Sequence, residues 1–289
     1  MGSPVLPQPE GSPTVLRVLL GAYMRRLRES RRISIDEASR VIRSSNSKLS
    51  KLEAGRAEFT DLDLAELLTF YGVTAEADRL ALRAVAIRAS SPGWWRDYAD
   101  VLPGWFDEYV GLEEAAREIR GYEVQFVPGL LQTQDYARAV IMLSYSHPKG
   151  ISRRVNLRMA RQAILDRPEP PALRMVLDEA LLSRPIGGAK AMRAQIKHLI
   201  EMSQRPNVTL QVVPFNAGGH PAAGGSFSLL SFDDQNLPDV VYLEQLTGAQ
   251  YHTKADIVDG YVGVMQRLSA EAPTPAGSLK LLRSMLRES

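Results

Sequence analysis

Residues 34–56, SIDEASRVIRSSNSKLSKLEAGR, hold the pattern from which the N-terminal third is read. Ser34 with Glu37 three positions on forms a capping box, in which the hydroxyl accepts from the Glu37 amide and the carboxylate reaches back to the Ser34 amide. Ile35, Ala38, Val41 and Ile42 follow on one helical face. Ser44-Ser45 then offers a second cap, Leu49 and Leu52 form the next apolar stripe, and Gly55 ends the run. The expected result is two short helices joined by a tight turn.

The same logic extends in both directions. Upstream, Leu16, Leu20, Tyr23 and Leu27 mark one stripe of a preceding helix. Downstream, Thr60 with Asp63 starts a fourth helix with Leu64, Leu68 and Tyr71 inward, and Gly72 stops it. A fifth is expected over Glu76–Ala89. Residues 14–89 therefore predict an all-α bundle of five helices. Before them, residues 1–13 (MGSPVLPQPEGSP) contain four Pro, two Gly and two Ser and are expected to form a disordered tail. After them, residues 90–98 (SSPGWWRDY) break the pattern and are read as a linker.

Residues 99–289 mix both kinds of element. AREIRGYEVQ, LRMVLDEAL, NVTLQVVPF, GSFSLLSF and DVVYLEQL read as strands, and QDYARAVIML, RRVNLRMARQAILD, KAMRAQIKHLIEM, DIVDGYVGVMQRL and GSLKLLRSML as helices. The two types do not alternate strictly. The expected class is α+β overall, an N-terminal helical bundle followed by an α+β domain with a mostly antiparallel sheet.

Composition narrows the function classes. A chain of 289 residues suits two domains at ~100–200 residues each. It has no cysteine, which excludes disulfides, thiolate metal sites and cysteine nucleophiles. No apolar run is long enough to span a membrane, and TVLRVLLGAY is interrupted by Arg17, unlike a secretory leader. A cytoplasmic location is expected. Net charge is +2, yet residues 14–60 carry eleven Lys/Arg against five Asp/Glu. That basic block suggests a polyanion partner, with a solvated helical face as the alternative.

Two helices on a tight turn beside such a block have the geometry of a helix-turn-helix, whose second helix presents its N-terminal residues to the major groove of double-stranded DNA. Ser45, Asn46 and Ser47 open that helix. Asn46 is suited to adenine and Lys51 to guanine. Arg43 and Lys48 are read as phosphate neutralisers, and Arg56 completes the basic set.

Residues 15–72 resemble the phage repressor/Cro-like helix-turn-helix class, the XRE family, through the run from Ser34 to Glu37, SKLSKLEAGR and DLAELLTFYGV. The resemblance implies an ion pair between the Glu of LEAGR, Glu53, and an Arg of the first helix, Arg28. The class often has Gln near Ile35, contacting phosphate, and Gly near Arg43 in the turn. This chain departs at both positions. Arg43 would be strained if that turn needs a positive φ, and a shifted turn would move the base-contacting residues by one.

The segment 118–139, EIRGYEVQFVPGLLQTQDYARA, is the distinctive signature of the remainder. Together with Trp94-Trp95, RQAILDRPEPP, GGAKAMRAQIKHLIE, NVTLQVVPF and SFSLLSF, it resembles the C-terminal domain of actinobacterial XRE regulators of the WhiJ-like, antitoxin-like branch. In that branch the turn Gly is commonly absent. The resemblance covers the chain from Val15 onward and implies a transcriptional regulator with a small companion protein.

From the residues alone, Trp94, Trp95, Trp105, Tyr122 and Phe126 form either a pocket for a small effector or a core cluster sealing the domain junction. The segment 216–225 (NAGGHPAAGG) is a lid, a docking loop or a plain connection between strands. Leu279, Leu282, Met285 and Leu286 form one stripe, facing their own domain or a dimer seam. His147, His198, His220 and His252 are scattered, so no metal, cofactor or catalytic residue is expected, and the chain is not read as an enzyme. A remote alternative is a self-cleaving repressor using Ser226 and Lys254 at the Ala223-Gly224 bond. The expected function is a sequence-specific DNA-binding transcriptional regulator, a homodimer on an inverted repeat, whose C-terminal domain senses a small molecule or a small protein. The alternative is an antitoxin-like regulator that mainly sequesters its companion.

Overall fold

A computed structural model of the chain describes residues 12–145, 147–222, 224–233 and 237–288. The fold has two compact units, the first ending at Arg96 and the second beginning at Asp97.

Among the described residues the first unit holds five α-helices: α1 (Pro13–Ser30), α2 (Ile35–Val41), α3 (Asn46–Glu53), α4 (Asp61–Phe70) and α5 (Glu76–Ala89). Each of α1 to α4 starts at a side-chain cap: Ser12, Ser34, Ser45 and Thr60 accept from the amides of Val15, Glu37, Lys48 and Asp63. The capping box of Ser34 and Glu37 is complete in both directions. Two residues of the expected tail are ordered, since Ser12 caps α1 and Pro13 opens it. Proline's fixed φ and missing N–H suit the first helical position. Residues 1–11 lie outside the described residues.

The four helices end alike. In each, the second residue beyond the helix cap donates to a carbonyl five residues back: Ile33 to Arg28, Ser44 to Ser39, Arg56 to Lys51 and Val73 to Leu68. This Schellman geometry places the preceding residue in the left-handed region. Gly55 (φ 71°) and Gly72 (φ 74°) take it without strain, but Arg32 (φ 57°) and Arg43 (φ 48°) occupy the same position in the other two. Leu16, Leu20, Met24, Leu49, Leu52, Leu64, Leu67, Leu68, Tyr71 and Leu82 fill one continuous core. Gly21 permits it: a Cβ there would stand 2.5 Å from the Leu52 carbonyl oxygen, so α1 and α3 meet backbone to side-chain-free backbone.

The segment 90–98 is structured. Trp94–Tyr98 form a 3-10 helix, and Trp95 is buried.

Among the described residues the second unit is built on six strands: β1 (Glu118–Glu123), β2 (Ala172–Asp178), β3 (Val208–Val213), β4 (Phe227–Ser231), β5 (Val240–Gln245) and β6 (Gly248–His252), in the order β3-β2-β1-β4-β5-β6. Three of the five pairings are antiparallel, as expected. The β1-β2 and β2-β3 pairs are parallel because helices carry the chain back each time. These are α7 (Gln134–Ser144) and α8 (Pro148–Arg161), then α9 (Glu179–Ser183) and α10 (Ala189–Met202). Helix α6 (Gly104–Ala115) precedes the sheet, and α11 (Ala255–Glu271) and α12 (Pro275–Glu288) follow it.

Strand β6 and helices α6 and α9 are absent from the sequence reading. β6 has no alternation to find: its residues GAQYH are all partly or fully exposed at the sheet edge. On one sheet face Tyr122, Val176, Phe227, Leu229 and Val241 pack with Val258, Met265 and Leu268 of α11. Helix α12 packs on β3 and α10, and its Leu282 is fully buried. Its apolar stripe therefore faces its own unit.

Candidate functional site

Helix α3 carries two opposed faces. Leu49, Leu52 and Glu53 are buried, whereas Asn46, Ser47, Ser50, Lys51 and Ala54 at its end are exposed. At 100° per residue these exposed positions cover a single arc. Ser45 spends its hydroxyl on the Lys48 amide (3.2 Å) and so shapes the helix start. The amides at the start of α3 lack partners within the helix, which suits a phosphate oxygen.

The depth at which α3 is held is set by Glu53. Its carboxylate takes two hydrogen bonds from Arg28 of α1, from Nε at 2.6 Å and from Nη2 at 2.9 Å. The third guanidinium nitrogen donates to the Ile33 carbonyl at 2.9 Å. Side-chain exposures of 10% and 5% make this a buried pair with every charge compensated. Arg28 and Glu53 act on the position of α3 and are out of reach of a ligand on its outer face.

The other predicted DNA contacts are arranged differently from the sequence reading. Asn46 accepts a 2.6 Å hydrogen bond from the Ser39 hydroxyl of α2 at its side-chain oxygen. A bidentate contact to adenine needs that same oxygen, so Asn46 is first a brace between the two helices. Lys48 is tied to Asp63 of α4 at 2.9 Å, and Arg43 to Glu66 at 3.0 Å. Both cations carry a carboxylate already, which weakens them as phosphate neutralisers. Ser47 and Lys51 point outward with no ion pair among the described residues, and Arg56 is exposed. Ser50 was missed from sequence. Its signal is its spacing, three residues after Ser47 and opposite Leu49–Leu52. Arg43 does stand in the left-handed turn that the resemblance placed near it.

The aromatic residues singled out over 94–126 are divided between the two units. Trp94 and Trp95 belong to the first unit and meet edge to face, with ring centroids 6.0 Å apart. Trp105, Tyr122 and Phe126 belong to the second. Tyr122 pairs with Phe227 in the β1-β4 register and lies on the α11 face, touching the Phe227 and His220 rings. Trp105 sits at the start of α6 against Phe106, and α6 reaches the opposite face through the Tyr109–Tyr242 contact at 4.2 Å.

Among the four histidines, His220 has the most defined surroundings. Its Nδ1 accepts from the Ala222 amide (3.3 Å), which leaves the proton on Nε2 facing the Tyr122 hydroxyl (3.0 Å). Tyr122 in turn donates to Asp178 (3.0 Å), whose other oxygen caps α9 through Ala180. Burial and Asp178 push the Tyr122 hydroxyl well above the usual tyrosine range. The chain of donors is internally satisfied and pins the segment after β3 to the ends of β1 and β2. Among the described residues no group of three or more metal-binding side chains converges, and no helix is long and apolar enough to cross a membrane. Ser226 accepts from the Val124 amide, Lys254 stands at the start of α11, and no hydrogen bond joins them. Ala223 lies outside the described residues.

Comparison with known families agrees with this division. Residues 19–82 match the family described as helix-turn-helix domain, and residues 106–284 match the family described as domain of unknown function (DUF5753). No curated protein and no solved structure matches the chain. The second match spans well over half of the 289 residues, and the chain belongs to the DUF5753 family, with a helix-turn-helix domain ahead of that domain.

Proposed function

We propose that this protein is a cytoplasmic, sequence-specific DNA-binding transcriptional regulator of the XRE type. The observation that carries the reading is the exposed arc of Ser47, Ser50 and Lys51 on α3, held at fixed depth by the buried Arg28–Glu53 pair. Lys51 is the candidate guanine reader and Ser47 and Ser50 approach base edges or phosphates. Arg56 and the α3 amides hold the backbone.

A single module of this size touches few phosphates, so a homodimer on an inverted repeat is the working form, with half-sites about 34 Å apart. Support comes from α5, where Ala77, Leu80, Ala84 and Ile87 form one exposed stripe, with Leu80 at 55% and Ile87 at 66% exposure.

Affinity sequencing of genomic fragments with the intact chain, beside Ser47→Ala/Lys51→Ala, tests the reading. Enrichment of a palindrome by the parent and its loss in the variant is the expected result. Equal enrichment by both, or a motif without symmetry, overturns it.

The second unit is then the input. A small-molecule signal is the first reading of that input. A companion protein, as the WhiJ-like and antitoxin-like resemblance implies, is the second reading. It is favoured by Met142 and Leu143 at the end of α7, exposed to 58% and 64%.

A further inference from the structure

Most cations of the first unit are used inside it. Arg25 pairs with Glu29, Arg40 with Asp36, Lys48 with Asp63 and Arg83 with Asp61. Arg32 is exposed, and its side chain has no ion pair and no hydrogen bond among the described residues. Lys51 on the outer arc of α3 is in the same state. Arg31 and Arg88 lack an ion pair too, but Arg31 lies beside Gly72, and Arg88 stands in the last turn of α5, where free carbonyls favour a cation.

Arg32 also stands where a side chain is unwelcome. Of the four left-handed turns that close α1 to α4, two hold Gly55 and Gly72, and two hold Arg32 (φ 57°) and Arg43 (φ 48°). A Cβ in that region crowds the neighbouring backbone, which glycine avoids. Arg43 offsets the crowding in part through its contact with Glu66. Arg32 has no such contact among the described residues. A strained residue that nothing inside the unit rewards points to a partner outside it.

The location of Arg32 indicates that partner's chemistry. One guanidinium, that of Arg28, bridges the Ile33 carbonyl (2.9 Å) to the Glu53 carboxylate of α3 (2.6 and 2.9 Å). The turn that carries Arg32 is therefore one side chain away from the helix that carries Lys51. A helix lying in a major groove ~12 Å wide is bordered by phosphates on either side. A guanidinium matches their oxygens in shape and charge. We propose that Arg32 is a phosphate anchor, gripping the DNA backbone beside the groove that α3 enters. The contact carries no sequence information and fixes where α3 sits on the duplex. It rests on the DNA reading above and adds to it a contact from the α1–α2 turn, outside the helix-turn-helix itself.

The test is fluorescence anisotropy of the full chain on two labelled duplexes, the enriched genomic site and a scrambled version of it, across a salt series. Arg32→Gly is expected to weaken binding several-fold on both duplexes alike. It should also reduce the slope of log affinity against log salt by about 0.9, the counterion release of one phosphate contact. The same variant should melt at or above the parent, because it relieves the turn, so a folding defect cannot produce the loss. Arg32→Lys keeps the charge and should keep the parent slope. Arg174→Ala, an equal change of net charge at an exposed position of β2, should leave the slope unchanged. A parent slope retained by Arg32→Gly, while the parent binds DNA, overturns the anchor alone. A loss confined to the enriched site would make Arg32 a base contact and overturns it as well. A parent that binds neither duplex at any salt refutes the DNA reading, and the anchor falls with it.

Discussion

Glu53→Ala removes one half of the pair that positions α3. In the parent, Arg28 spends two nitrogens on Glu53 and one on the Ile33 carbonyl, at side-chain exposures of 10% and 5%. The variant leaves a guanidinium in the core with the Ile33 carbonyl and, at 3.7 Å, the half-exposed Glu29 carboxylate, a loss of about 3 kcal/mol, the low end for breaking a buried pair. A helical unit of roughly 80 residues is stable by ~4–12 kcal/mol in all, at 0.05–0.15 kcal/mol per residue. The variant should therefore lose a large share of its stability, a fall in Tm of roughly 12–24 °C at 4–8 °C per kcal/mol. Trp94 and Trp95 lie in this unit and Trp105 in the other, so urea melts followed by tryptophan fluorescence in a Trp105→Phe background report the first unit. Arg28→Met/Glu53→Leu is the control, since replacing both ions by apolar groups of similar size is often neutral or stabilising. A loss below about 1 kcal/mol for Glu53→Ala, the range of an exposed ion pair, would refute the reasoning. So would a double variant as unstable as the single one.

Other outcomes follow from the same geometry. Arg43→Gly should stabilise the first unit by about 1 kcal/mol by relieving a left-handed residue, measured by denaturant melts, even though it removes the exposed contact to Glu66. Gly21→Ala should unfold or strongly destabilise the same unit, because its Cβ would overlap the Leu52 carbonyl oxygen. Lys51→Ala should cost about 1–3 kcal/mol of operator affinity and relax the sequence preference at one base pair, read in a competition binding assay. Glu123 sets a pH dependence. Its folded value near 7 lies above the ordinary 4.5, so the folded state holds the proton longer, and stability falls as pH rises from 4.5 to 7. The loss totals about 3 kcal/mol and is complete above pH 7. Glu123→Gln should flatten that slope, with Glu244, Tyr136 and the Ser226 hydroxyl still in place around it.

The helices of the first unit were legible because their information is local. A cap, a stripe and a stop lie within a dozen residues, as Ser34, Ala38 and the turn at Arg43 show. The α+β class was legible from alternation in the five strands that bury a face. β6 was invisible because an edge strand with both faces open needs no alternation.

What the amino-acid order determined by itself is therefore the pair of units, the helix-turn-helix and the basic block around it. The tertiary structure decided which of those basic residues are available. Lys48 and Arg43 are claimed by Asp63 and Glu66, fifteen and twenty-three residues away, and Asn46 by Ser39 across the turn. It also paired the buried Arg161 of α8 with Glu113 of α6, forty-eight residues away. Those groupings depend on strand register and helix packing between distant segments, which no local pattern encodes.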